Sequence, residues 1–77
     1  MKYRAKFYTG LEVEKNSQRT LTFAWAAFID GKFVRHGFSK SYKTALGSVR
    51  SFREKYRKAH ENSDYVFSME IVPAIIA

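Results

Sequence analysis

The hydrophobic period changes once along this chain, near Ser41, and that change limits the folds open to it. Before Ser41 apolar and polar residues alternate with the period of two expected of strands. Beyond it Tyr42, Ala45, Leu46, Val49, Phe52, Tyr56 and Ala59 recur at spacings of three and four. At about 100° per residue they fit within an arc of roughly 140°, the width of one buried helical stripe. Strands followed by one amphipathic helix call for a sheet that covers that stripe.

Residues 2–14 read as a first strand, with Tyr3, Ala5, Phe7, Thr9, Leu11 and Val13 on the core face and Lys2, Arg4, Lys6, Tyr8, Glu12 and Glu14 outward. A polar loop, residues 15–19, leads to a second strand over 20–29. Its Leu21, Phe23, Trp25, Ala27 and Ile29 point together, and its other face is small or apolar, which suits a central position. Asp30-Gly31 predicts a tight hairpin, because both central positions of such a turn need positive φ. The return strand, 32–38, puts Phe33 and Arg35 on one face and Val34, His36 and Phe38 on the other, with Gly37 marking a bulge or the strand's end. The helix spans 42–60, and Ser39 and Ser41 both qualify as its N-cap. After Asn62-Ser63-Asp64 a last strand covers 65–72, and Pro73 ends it or holds it at an edge. The expectation is one α+β domain over 1–77, a two-layer arrangement of an antiparallel sheet in β-β-β-α-β order with the helix on one face.

A chain of 77 residues buries only about 60 to 65% of its unfolded surface, so large side chains must supply much of the core. Seven Phe, five Tyr and one Trp do so, and the run from Phe23 to Phe28 reads as core more readily than as an aromatic binding platform. The absence of Cys removes disulfides, thiolate zinc sites and cysteine catalysis, and points to a reducing, cytoplasmic setting. The first ten residues lack the apolar run of a signal peptide, and no stretch approaches the roughly 20 apolar residues of a membrane span.

Charge carries the functional reading. Half of the fourteen Lys and Arg residues fall within 40–58, opposed only by Glu54. Lys43, Arg50 and Arg57 recur every seven residues along one flank of the buried stripe, with Arg53 nearer its border. Lys2, Arg4 and Lys6 form a second ladder on the first strand, beside Tyr8, and Arg35 offers a further contact. Tyr8 or Phe28 is placed to stack an unpaired base. A solvated helix laced by Glu54 with Lys58, Arg50 with Glu54 and Arg57 with Glu61 is the plain alternative for the helix, and protection of an outer strand against edge pairing is the plain alternative for the ladder. The surplus of cations favours a small, non-enzymatic nucleic-acid-binding protein that grips DNA or RNA backbone, with about six phosphate contacts and a log-log salt slope near −5 on duplex DNA. A module or inhibitor of the phage or mobile-element type, docking on an acidic protein surface, is the alternative, since carboxylates attract the same side chains. Ile71, Val72, Ile75 and Ile76 add the expectation of a homodimer through the last strand and tail.

Catalytic patterns are lacking. Asp30 and Asp64 sit in turns, where Asp bonds its own backbone, and His36 and His60 stand apart without a third ligand. No phosphate-binding Gly-rich loop or nucleophile elbow occurs, so neither cofactor nor metal is expected. The element order is similar to the first half of ribonuclease H-like domains, but their metal-binding carboxylate on the first strand has no counterpart among the core-face residues from Tyr3 to Val13. Within residues 25–59, the Asp-Gly hairpin followed by Phe38-Ser39-Lys40-Ser41-Tyr42-Lys43-Thr44-Ala45 and the helix resembles the arm-type DNA-binding domains of tyrosine recombinases and the plant ethylene-response DNA-binding domains. In those families the sheet enters the major groove, and the resemblance implies that role for Arg19, Lys32 and Arg35. The spacing from Phe38 to Ala45 is one residue longer than in those families, and their acidic residue before Ala45 is missing.

Overall fold

A computed structural model describes residues 1–77. Its elements are β1 (Lys2–Lys6), β2 (Glu12–Asn16), β3 (Phe23–Ile29), β4 (Lys32–Ser39), α1 (Tyr42–Ala59), β5 (Phe67–Pro73) and β6 (Ile75–Ile76). The fold is α+β with one helix, and its strands form two antiparallel three-stranded sheets, ordered β2-β1-β6 and β4-β3-β5.

The expected single strand over 2–14 is a hairpin. Phe7 N–H donates to Leu11 O at 2.8 Å and Gly10 N–H to Phe7 O at 2.9 Å, closing a loop of Tyr8, Thr9 and Gly10 with Gly10 at φ 96°. Three-residue hairpin loops need a residue of positive φ at their last position, and glycine supplies it. The register explains why alternation hid the turn. Tyr3 faces Lys15 and Ala5 faces Val13, so odd-numbered residues oppose odd-numbered ones and the core face keeps its parity through the loop.

β3 is the central strand of its sheet, and every residue from Ala24 to Ile29 is buried. One face, Ala24, Ala26 and Phe28, packs with Ala5, Phe7, Val13 and Val72. The other face, Trp25 and Ala27, packs with Ala45 and Val49 of the helix. The helix and the β2-β1-β6 sheet therefore cover opposite faces of β3, and the second sheet adds a layer to the expected pair. The alanines of β3 let both covers approach closely. The tail supplies β6: Ile75 faces Arg4 and Ile76 faces Tyr3, so it completes the sheet of its own chain while leaving both isoleucine side chains exposed.

The Asp30-Gly31 turn forms as expected, with φ 52° and 79°. Asp30 Oδ1 also accepts Val66 N–H at 2.9 Å, tying the turn to the approach of β5. The bulge lies at Val34 and not at Gly37, since Phe28 faces Phe33 while Ala27 faces Arg35. One extra residue reverses the alternation there. Phe33 consequently joins the face of His36, with ring centroids 5.9 Å apart, instead of sharing a face with Arg35.

Ser41 is the N-cap: its Oγ accepts Thr44 N–H at 3.1 Å. Ser39 ends β4, buried. Arg57 and Lys58 occupy the last turn, where cations favour the helix dipole.

Candidate nucleic-acid interface

Each flank of the helix presents cations, and the sheet beneath positions them differently. On the β5 flank stand Lys43, Arg50, Arg53 and Arg57, all exposed, which agrees with the heptad spacing. Arg53 lies over the Phe67 ring, its guanidinium carbon 5.6 Å from the centroid. Such a contact contributes only about 0.5 to 1 kcal/mol at an exposed site, but it orients the group. Arg57 is held by Glu54 one turn back, through both Nε, at 3.3 Å, and Nη2. The hydrogen bond from Arg57 draws the Glu54 carboxyl below its ordinary value, and the carboxylate in turn raises Arg57 above its own. Lys43, Arg50 and Arg53 make no ion pair, so three of these four charges are uncommitted.

The opposite flank faces β4. Arg35 projects from β4 on the helix side of the sheet and lies over Phe52, 5.7 Å from its centroid. Beside it Thr44, Gly47, Ser48 and Ser51 give the helix a low wall, and Lys55 closes one end of a depression of about 510 Å³. A second depression of about 810 Å³ shares Thr44 and Ser48 with it and is bordered by Arg19 and Lys40. The two form one groove along the helix. Trp25 lines its floor, with the indole laid across Gly37.

Lys2, Arg4 and Lys6 lie elsewhere. They project from β1 on the side turned away from Ala5 and Phe7, hence away from the sheet that carries the helix. The hairpin sets Arg4 opposite Glu14 and Lys6 opposite Glu12, and Lys2 Nζ is 3.1 Å from Glu14 Oε2. This ladder is thus substantially balanced by β2. β1 is also the centre of its sheet, so these cations guard no edge. Arg35 is separated from the other helix-layer candidates by the width of the helix. The eight expected residues accordingly divide into three groups.

Of the two aromatics assigned to stacking, Phe28 is 4% exposed and belongs to the core, whereas Tyr8 is 89% exposed at the tip of the β1-β2 hairpin. The sheet face that the arm-type resemblance would place in a major groove is covered along β3 by β1 and β2, and Arg35 projects on the side of the helix. Arg19, Lys40 and Lys55 border the groove although charge spacing on the helix did not single them out. A readable signal was present in Thr44, Ser48, Ser51 and Lys55, which recur at three and four residues along one flank.

No group of His, Asp and Glu is placed to hold a metal ion. No helix is long and apolar enough to cross a membrane. Comparison with protein-family models, with curated proteins and with solved structures finds no match to this chain.

Proposed function

We propose that this protein is a non-enzymatic nucleic-acid-binding domain that grips DNA or RNA backbone through its helix layer. The observation that carries the reading is the β5 flank, where Lys43, Arg50 and Arg53 stand exposed without ion-pair partners and Arg57 is held ready by Glu54. Cations on one face of a rigid element attract a polyanion, and such contacts are largely blind to sequence. Arg57 can exchange its carboxylate partner for a phosphate, because an exposed pair of this kind is worth little in water. Lys2, Arg4 and Lys6, on the other outer layer and faced by Glu12 and Glu14, contribute to long-range attraction and not to the same backbone contact.

Fluorescence anisotropy with labelled mixed-sequence duplex tests this reading. Binding is expected at about 50 mM salt and lost by about 200 mM. No binding at the low end, together with capture of a carboxylate-rich protein surface, would replace the reading with protein docking.

A further inference from the structure

We infer that the groove between α1 and β4 is a seat for single-stranded nucleic acid, held by its phosphodiester backbone; this rests on the nucleic-acid reading above and specifies the form bound. The groove is bordered by Arg19, Arg35, Lys40 and Lys55, and no acidic residue lines either of its halves. None of the four cations forms an ion pair within the chain. Like charges gathered along one cleft repel one another, and a bound polyanion relieves that repulsion.

The groove is polar in its interior as well as at its border. Ser48 and Ser51 offer hydroxyl donors between the cations, while the Thr44 hydroxyl shares a 2.8 Å hydrogen bond with Ser41 Oγ. Trp25 supplies a further donor: the residue is only 6% exposed, yet its indole N–H bonds no atom of the chain and retains contact with solvent. Water or a ligand in the groove is therefore the partner open to it. At Gly47 a Cβ would meet nothing within 4 Å, so the fold itself does not require glycine in mid-helix. Glycine there costs about 1 kcal/mol relative to alanine. Close approach of a ligand backbone to the helix accounts for a residue that packing leaves unexplained.

Shape selects the single strand. The groove is lined by helix residues and by Trp25, Arg35 and Ser39 of the sheet, so its ligand must reach down beside the helix, which one flexible backbone does more readily than a duplex. From Thr44 to Lys55 the groove runs about 16 Å along the helix, enough for roughly five nucleotides at the rise of one stacked strand. Arg19 is well placed for this, because its carbonyl accepts the hydroxyl of buried Tyr3 at 3.0 Å and so fixes the loop at the groove's end.

The test uses the full chain, a labelled thymidine oligonucleotide of about 12 nucleotides, and a duplex of mixed sequence. Trp25 is the chain's one tryptophan and lines the groove, so its emission responds to occupation of the groove. The single strand should change that emission on binding and the duplex should not. Lys40→Ala combined with Lys55→Ala should lower single-strand affinity about ten-fold, lower duplex affinity less, and reduce the single-strand salt slope by about 1.4. Ser51→Glu, which introduces an anion into the groove, should act in the same direction. Duplex binding without single-strand binding, or single-strand binding that neither variant weakens, would overturn the groove while leaving the nucleic-acid reading intact. If neither nucleic acid binds, or if polyglutamate competes as well as the oligonucleotide, the reading itself fails.

Discussion

Gly37 and Trp25 face each other across β4 and β3, and they share one volume: a Cβ on Gly37 would lie 2.6 Å from Trp25 Nε1 and 2.8 Å from Cε2. The glycine lets the indole lie flat on its neighbouring strand, between the sheet and Phe52, whose ring centroid is 6.4 Å away. Gly37→Ala should push the indole off this strand at a cost of about 1 to 3 kcal/mol, the usual range for overpacking. Denaturant unfolding followed by tryptophan emission checks this, and an unchanged midpoint would show that the indole has room to shift.

Gly10 has a different constraint, since it is backbone conformation and not space that excludes a side chain there. Gly10→Ala should destabilise the β1-β2 hairpin by roughly 1 to 2 kcal/mol. The same loop is fastened to β5 by Tyr8 N–H donating to Glu70 Oε1 at 2.7 Å. Glu70→Ala should therefore speed hydrogen exchange at the Tyr8 amide, measured by NMR, and unchanged exchange would mean that the loop is held by its own bonds.

Phe52 sits half-buried among Trp25, Tyr56 and Phe67. Because part of the ring stays in water, Phe52→Ala should cost about 2 to 4 kcal/mol, below the upper range for a fully buried phenylalanine. In the variant that combines Arg50→Ala, Arg53→Ala and Arg57→Ala, the changes at Arg50 and Arg57 should each cost less than about 0.5 kcal/mol, as exposed substitutions do, and loss of the Arg53 contact with Phe67 about 0.5 to 1 kcal/mol. Chemical denaturation of both variants separates the roles of the two sides of the helix.

Glu54 should titrate below an ordinary glutamate, because Arg57 bonds its charged form. A depressed folded-state value means that the pair's contribution is present at neutral pH and is lost as pH falls through the value Glu54 has in the folded chain. The contribution is small, both groups being open to solvent. Carboxyl-carbon NMR titration of the native chain and of Arg57→Ala should show the value return toward normal in the variant. Identical curves would mean that the pair does not persist in solution.

What could be read from the sequence, and what could not, follows from the range of each signal. The helix, its cap at Ser41 and the Asp30-Gly31 turn are local, and the spacing of apolar residues and turn chemistry located them. The β1-β2 hairpin escaped because its register preserves parity, so Gly10 was the only local mark of the turn. The bulge at Val34 carries no side-chain signature, and it moved Phe33 to the other face. For the site, the heptad of Lys43, Arg50 and Arg57 was legible because it lies on one element. The balance of Lys2, Arg4 and Lys6 by Glu12 and Glu14 depends on strand pairing, and the groove depends on Arg19, Arg35 and Lys40 meeting the helix from elsewhere in the chain.

The most direct test of the central claim is the salt dependence of duplex binding, compared between the native chain and the Arg50, Arg53 and Arg57 triple alanine variant. With the β1 ladder turned away from the helix, the six phosphate contacts expected from charge alone fall to about four, and the log-log slope should be near −3.6 in place of −5. The triple variant should bind weakly with a slope near −1, leaving Lys43 as the main contact on that flank. A variant that keeps the native affinity and slope would contradict the account.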